Sequence, residues 1–167
     1  RMSARSGLAA GLALVVLVAA LPAASSPAAA VRTARVSVFV PKGSPGSRCD
    51  RVVPVARTVR APAVLRGAME ALLRGPTAAE RNRGYGGWFS SRTAGMLRSV
   101  RLAGGVAYVD FRDFRRVIPN ASSSCGGALL LAQLDRTATQ FPTVRRAIYA
   151  FNGSRRGFYE WLQRSAP

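Results

Sequence analysis

The chain after residue 31 begins with residues that alternate between the two faces of a strand. Residues 35–40, RVSVFV, are rich in β-branched and aromatic side chains at a period of two, which predicts a first strand. Residues 41–47, PKGSPGS, predict a turn-rich loop, and residues 51–60, RVVPVARTVR, predict a second extended segment. Pro54 has no N–H to donate to a neighbouring strand, so this second segment is predicted to lie at a sheet edge.

A helical period replaces the alternation after Pro62, which is well placed as a first helical residue. Apolar residues fall at i, i+3, i+4, i+7 and i+8 and predict a buried stripe: Leu65, Ala68, Met69, Leu72 and Leu73. Another face carries a solvated row of charges at i, i+4 and i+8: Arg66, Glu70 and Arg74.

The dipeptide Gly75-Pro76 ends this helix in mid-chain. Glycine accepts the left-handed backbone at a helix end, and proline is unable to continue the helix. Thr77 followed three residues later by Glu80 predicts a capping box for a short new turn. A P-loop needs consecutive backbone donors and a lysine, so the residues around Gly75 predict a structural stop and no phosphate cradle.

The second half of the sequence, from residue 83 onward, has the patterns of a loop, a hairpin, a helix and a last strand. Residues 83–95 form a Gly- and Ser-rich loop, and a hairpin joins residues 96–102 to 106–111 through the turn 103–105. In its second arm Ala107, Val109 and Phe111 share one face, which is predicted to pack on helices, while Tyr108 and Asp110 share the other.

A second helix is predicted over residues 122–140, with a serine-rich start and Pro142 beyond its end, and a strand over residues 144–151. Residues 157–164 predict a short helical or extended segment whose Phe158, Trp161 and Leu162 dock back on the domain. The order β-β-α-β-β-α-β predicts an α+β fold, with a small mixed or antiparallel sheet and two main helices packed on one face.

Residues 1–30 have the features of an export signal. Arg1 and Arg5 precede an apolar run over residues 8–21, and a small-residue site at 28–30 follows. We expect cleavage before Val31, with an uncleaved membrane anchor as the alternative. The predicted location is therefore extracellular, or the outer face of the cytoplasmic membrane and the cell wall. Residues 31–157 are then one domain, and residues 158–167 dock on it or trail it.

The charge is strongly positive, with 25 basic residues against 7 acidic ones and a net charge of +18. An exported basic domain fits anionic lipid headgroups or acidic wall polymers, and no nucleic-acid partner is expected in vivo. The excess of arginine over lysine is equally typical of a GC-rich genome, so codon bias stays open as an explanation.

Two cysteines, Cys49 and Cys125, in an exported chain predict a disulfide. There is no histidine, so a zinc site with histidine ligands and the Ser-His-Asp and Cys-His catalytic arrangements are excluded. No metal, cofactor or small-molecule substrate is predicted. A cell-wall hydrolase that uses two carboxylates is the alternative, and its candidates are Asp110, Asp113, Glu70 and Asp135.

Candidate partner-binding residues fall in two groups. Trp88 and Phe89 lie in the aromatic loop, where an exposed apolar contact competes with packing over the sheet edge. The pairs Arg145-Arg146 and Arg155-Arg156 bracket the last strand and are the best local cluster for an acidic partner, with solvated strand-end charge as the alternative.

Three stretches together resemble a GerMN domain, a family named for a spore-germination and sporulation lipoprotein: ALLRGPTAAE at 71–80, LRSVRLAGGVAYVDF at 97–111 and LAQLDRTATQFPTVRRAIYAFNG at 131–153. The resemblance implies an extracytoplasmic α+β domain, similar to the ring-building folds of envelope-spanning complexes, that acts in assembly and not in catalysis.

The chain departs from the family in its single copy, in having no lipid-anchoring cysteine and in its cysteine pair. We therefore expect a non-enzymatic binding or assembly module of the bacterial cell envelope that contacts an envelope protein or an anionic wall or lipid component. A wall hydrolase and a general polyanion binder are the alternatives.

Overall fold

Two antiparallel strands open the described part of the computed structural model, which covers residues 31–43 and 48–167. β1 spans Thr33–Val40 and β2 spans Val53–Arg60, and they pair with each other along their whole length. Val36, Val38 and Val40 turn toward the core. β2 has no second partner strand among the described residues, as Pro54 predicted. The predicted export segment, residues 1–30, lies outside the described residues.

The first helix, α1, spans Val64–Leu73, so the prediction that it begins at Pro62 is wrong. The residues before it are tied to the sheet, because the Ala61 N–H donates to the Arg32 carbonyl oxygen at 2.9 Å. The Val64 N–H then donates to the Pro62 carbonyl oxygen in a tight turn. The predicted stripe is buried from Ala68 onward, with Leu65 half-buried at its rim.

The Gly75-Pro76 stop and the capping box after it are confirmed. Gly75 has a φ of +71°, and its N–H donates to the Leu72 carbonyl oxygen at 2.9 Å. α2 spans Ala78–Asn82. The Thr77 hydroxyl accepts from the Glu80 N–H at 3.2 Å, and the Glu80 carboxylate accepts from the Thr77 N–H at 2.8 Å.

A second sheet of three strands forms the other half of the domain. β3 (Leu97–Ala103) and β4 (Val106–Phe111) are the predicted antiparallel hairpin, with Gly104 and Gly105 at its turn. β5 (Arg146–Phe151) runs parallel to β4, a pairing that needs a long crossover, and α3 (Ser124–Ala138) provides it. A 3₁₀ turn over residues 119–122 precedes α3, so the predicted second helix begins later than expected, with Ser123 as its N-cap.

The single small sheet that the sequence predicted is two sheets, because the free edge of β1 is occupied by polar side chains of the α3 region. The Gln140 side chain accepts from the Ser37 N–H at 2.8 Å and donates to the Ser37 carbonyl oxygen at 2.7 Å. The Thr137 hydroxyl accepts from the Phe39 N–H at 3.1 Å. These bonds satisfy strand groups that another strand would otherwise pair with.

The C-terminal segment forms α4, which spans Arg155–Trp161 and packs against β5. Phe158 is fully buried among aromatic rings of β4, β5 and α4 that include Phe111, Tyr149 and Phe151. Leu162 is buried just beyond the helix. A boundary at residue 157 therefore falls inside a helix, and residues 31–167 form one unit.

The predicted disulfide between Cys49 and Cys125 is confirmed. It links the segment before β2 to the first turn of α3, 76 residues away. Among the helices of residues 31–43 and 48–167, none is long and apolar enough to cross a bilayer.

Candidate functional site

The three-stranded sheet has one face in the core and one face that lines a groove. Ala107, Val109 and Phe111 of β4 are buried on the core side, as the alternation predicted. The opposite positions line a groove of about 620 Å³. We call this surface the open sheet face; it comprises Ser99 and Arg101 of β3, Tyr108 and Asp110 of β4, and Ile148 and Ala150 of β5. Gly153 and Arg155 close its end beyond β5.

Arg101 and Tyr108 form the exposed centre of the open sheet face. They are paired across β3 and β4, and the Arg101 guanidinium lies 4.2 Å from the centre of the Tyr108 ring. A guanidinium stacked in this way is held in place by the ring, while its in-plane N–H groups stay available for an anionic group.

The acid on this face, Asp110, is already hydrogen bonded on both of its oxygens. Oδ2 accepts from Arg98 at 2.6 Å, and Oδ1 accepts from the Gly153 N–H at 2.8 Å. Arg98 reaches this face because the β3–β4 register shifts between Leu97 and Ser99, and such irregularities redirect side chains. Arg98 therefore balances the acid, and Arg101 and Arg155 leave the groove positively charged.

The two predicted arginine pairs lie on either side of β5, as the sequence predicted. Arg145 and Arg146 are at the start of the strand, and Arg155 and Arg156 are in the first turn of α4. Arg145 donates to the Gly104 carbonyl oxygen at 2.6 Å, and Arg156 pairs with Glu160 at 2.5 Å. Arg146 is exposed at the start of β5, in register with Val106. Of the four, Arg155 lines the groove.

The aromatic loop packs inward. Phe89 is 2% exposed, so its ring belongs to the core and does not face a partner. Trp88 is half-buried, and its indole N–H donates to the Gly126 carbonyl oxygen in α3 at 3.0 Å. Both residues therefore serve to close the loop over α3 and the core.

Two of the four candidate carboxylates of the hydrolase alternative, Asp110 and Asp135, lie on opposite faces of the three-stranded sheet. Asp110 lies on the open sheet face, whereas Asp135 contacts Tyr149 on the core side of the same sheet. Glu70 pairs with Arg66 at 2.9 Å on the surface of α1. Asp113 is held by Arg115, whose hydrogen bonds lower the pKa of that carboxyl. Asp110 and Asp135 cannot face each other across one sugar ring, which the two-carboxylate mechanism requires.

Sequence reasoning missed Arg98 and Arg101 as members of a site. The signal was present for Arg101, since the alternation in the hairpin puts it on the same face as Tyr108 and Asp110. No comparable signal existed for Arg98, because its direction follows from the irregularity in β3.

Comparison with known proteins agrees with this fold. Residues 37–155 match the family model described as "Germane: Sporulation and spore germination". The match covers more than half of the chain, and the chain belongs to this family. No curated protein matches the chain.

Two solved structures are similar, both of the sporulation protein GerM from Bacillus subtilis. Its tandem GerMN domains share 17% sequence identity with this chain at a TM-score of 0.50, over 78% of this chain and 43% of that one. Its first GerMN domain shares 18% identity at a TM-score of 0.47, over 72% of this chain and 84% of that one. The chain thus spans less than half of the tandem structure, and the α+β fold of a GerMN domain is the property they share.

Proposed function

We propose that this protein is a non-enzymatic binding module outside the cytoplasmic membrane, and that its open sheet face binds a partner in the cell envelope. The observation that carries the proposal is the groove of about 620 Å³, which Tyr108, Ile148 and Ala150 line together with Arg101 and Arg155. Neither arginine forms an ion pair within residues 31–43 and 48–167. Such a surface suits binding, since it offers contact area and charge complementarity.

The proposed location rests on the sequence and on the disulfide. Residues 1–30 have the composition of an export signal, and disulfides such as Cys49–Cys125 persist in oxidising compartments outside the cytoplasm. Membership of a sporulation and spore-germination family is consistent with a role in the envelope.

The partner is proposed to be an envelope protein with an acidic surface, or an anionic wall or lipid component. Arg101 supplies a fixed guanidinium at the centre of the groove, and Arg155 supplies a second at its end. A partner with anionic groups matches both positions.

Site-specific photocrosslinking in intact cells tests the proposal. A photoreactive amino acid at Ser99, inside the groove, should give a discrete crosslinked product that is lost when Arg101→Glu is added. The same amino acid at Arg92, an exposed position outside the groove, is the matched control and should give no such product.

Four outcomes separate the alternatives. A discrete protein band supports an envelope protein, and a heterogeneous product that disappears at high salt supports an anionic polymer. Equal products from positions 99 and 92 would rule out the open sheet face as the binding surface. Recovery of the protein in the cytoplasm with reduced cysteines would contradict the proposed location.

A further inference from the structure

Asp135 differs from the other acidic residues of this arginine-rich chain. Five of the seven acids form an ion pair with an arginine: Glu70, Glu80, Asp110, Asp113 and Glu160. Asp50 is exposed. Asp135 is half-buried and forms no ion pair within residues 31–43 and 48–167; its carboxyl accepts a hydrogen bond of 2.7 Å from the Tyr149 hydroxyl.

A cavity of about 430 Å³ opens at this carboxyl, on the side of β5 that faces away from the open sheet face. Asp135 of α3, Tyr149 of β5 and Tyr159 of α4 line it, with Leu131 on its apolar side. Arg164 and the residues after it form the remaining wall. We call it the Asp135 pocket. Its volume lies in the range of small-molecule sites, about 300–1,000 Å³.

The polar groups of the Asp135 pocket divide into an acceptor and donors. Tyr149 holds one carboxyl oxygen of Asp135, which fixes the side chain at the cavity wall. Burial raises the pKa of Asp135, although the Tyr149 hydrogen bond and the charge of Arg164 oppose that shift. A cationic group that binds to this half-buried carboxyl would stabilise its charged form.

The opposing donors are Tyr159 and Arg164. The Tyr159 hydroxyl oxygen accepts from the Tyr149 N–H at 3.3 Å, and its own hydrogen has no acceptor in the described part of the chain. Arg164 lines the same cavity and forms no direct ion pair with Asp135 within the described residues. The pocket thus holds an acceptor for a cation and two donors for an anion, with the space between them open.

We propose that the Asp135 pocket binds a small zwitterion of the amino-acid or dipeptide class. Its ammonium group is held by Asp135, and its carboxylate is held by Arg164 and the Tyr159 hydroxyl. Both contacts are charge-assisted hydrogen bonds, which are the strong kind. The ligand is bound and not transformed, so this site adds to the proposed function without depending on it.

The test is an NMR titration of the purified, oxidised protein with the dipeptide alanylalanine. Backbone amide signals of Tyr149 and Arg164 should shift in a saturable way. N-acetyl-alanylalanine lacks the ammonium group and alanylalanine amide lacks the carboxylate, so each should bind at least about tenfold more weakly.

Asp135→Asn should weaken alanylalanine binding by a similar factor, and it retains an oxygen that accepts from Tyr149. Glu160→Gln is the matched control, since Glu160 is an exposed acid on the same helix as Tyr159, and it should leave the affinity unchanged. Arg101→Glu, on the open sheet face, should also have no effect, which separates this site from the proposed function.

Absence of shifts up to about 50 mM dipeptide would overturn the proposal, because two charge-assisted hydrogen bonds in a preformed pocket should give a lower dissociation constant than that. Equal binding of the dipeptide and its two blocked forms would also overturn it. An Asp135→Asn variant whose spectrum is otherwise unchanged, and which binds as well as the natural protein, would have the same consequence.

Discussion

At the scale of single residues, Arg57 and Glu80 form an ion pair that is largely buried. The two Arg57 terminal nitrogens donate to the two carboxylate oxygens of Glu80 at 2.7 and 2.6 Å. Glu80 also completes the capping box with Thr77, and it is 6% exposed. One carboxylate thus ties β2 to α2 and caps the helix, so its loss removes two kinds of contact at once.

We predict that Glu80→Gln lowers the free energy of unfolding by about 2 kcal/mol at pH 7, because Arg57 then keeps its charge without a buried partner. The Arg57 hydrogen bonds lower the pKa of Glu80 below its ordinary 4.5. Its stabilising contribution is therefore complete above about pH 4.5 and is lost as the pH falls through the lower folded pKa.

Urea unfolding at pH 7 and at pH 3 measures this difference, which should shrink at the lower pH. Glu70→Gln is the control; its pair with Arg66 is exposed and is worth at most about 0.5 kcal/mol. Equal effects of the two substitutions would contradict the prediction.

The sequence predicted the half of this contact that is local. Thr77 and Glu80 are three residues apart, so their capping box follows from spacing. Arg57 is one of 25 basic residues, and nothing in its neighbourhood indicates which acid it meets, because that depends on how β2 packs on α2. The contact between Tyr149 and Asp135 was beyond prediction for the same reason.

At the scale of elements, Gly75 determines how α1 ends and where the chain goes next. Its φ of +71° lies in the left-handed region, and a Cβ at this position would lie 2.1 Å from the Phe89 carbonyl oxygen. Gly95 has a similar φ of +76°, with no atom within 4 Å of its Cβ position. The two glycines therefore share a backbone conformation and differ in their surroundings.

We predict that Gly75→Ala destabilises the domain by more than 2 kcal/mol, while Gly95→Ala costs about 1 kcal/mol, the strain of a left-handed non-glycine residue. The difference reflects the collision with the backbone of the aromatic loop, which has to move. Thermal unfolding of both variants measures it. A Gly75→Ala variant no less stable than Gly95→Ala would show that the loop moves freely.

Most elements were predictable because they follow from local periods. The hairpin, the stripe on α1 and the serine-capped α3 all have their signals within a few residues. The division into two sheets depends on Gln140 and Thr137, which hydrogen bond to an edge of β1 about 100 residues earlier in the chain. No local sequence pattern predicts such a contact. The same holds for the position of α4 over β5.

At the scale of the whole molecule, the arrangement of charge is more informative than its total. Most acids are paired with arginines, so the excess of positive charge is spread over the surface and the groove. The sequence predicted that two arginine pairs bracket β5, and they do lie on either side of it; of the four residues, Arg155 lines the open sheet face. The open sheet face gains its charge from Arg101 of β3, which the sequence did not single out, and from Arg155, which it did.

The disulfide acts on the whole molecule, because the loop that it closes between Cys49 and Cys125 contains β2, α1, α2 and the β3–β4 hairpin. A bridge over 76 residues restricts the unfolded chain and is worth about 4 kcal/mol on the chain-entropy model. We predict that reduction, or a Cys49→Ser/Cys125→Ser variant, lowers the melting temperature by about 10–20 °C.

Reduction and the double serine substitution can be compared directly by thermal unfolding. Both remove the same constraint, so reduced wild type and the double serine variant should melt at the same temperature, and the reductant should not affect the variant. If the reductant lowered the melting temperature of the wild type while the double serine substitution did not, the reductant would act on something other than this bridge. If neither treatment changed it, the contacts around Cys125 would already fix the start of α3; the Trp88 indole on the Gly126 carbonyl and the Ser123 cap are those contacts.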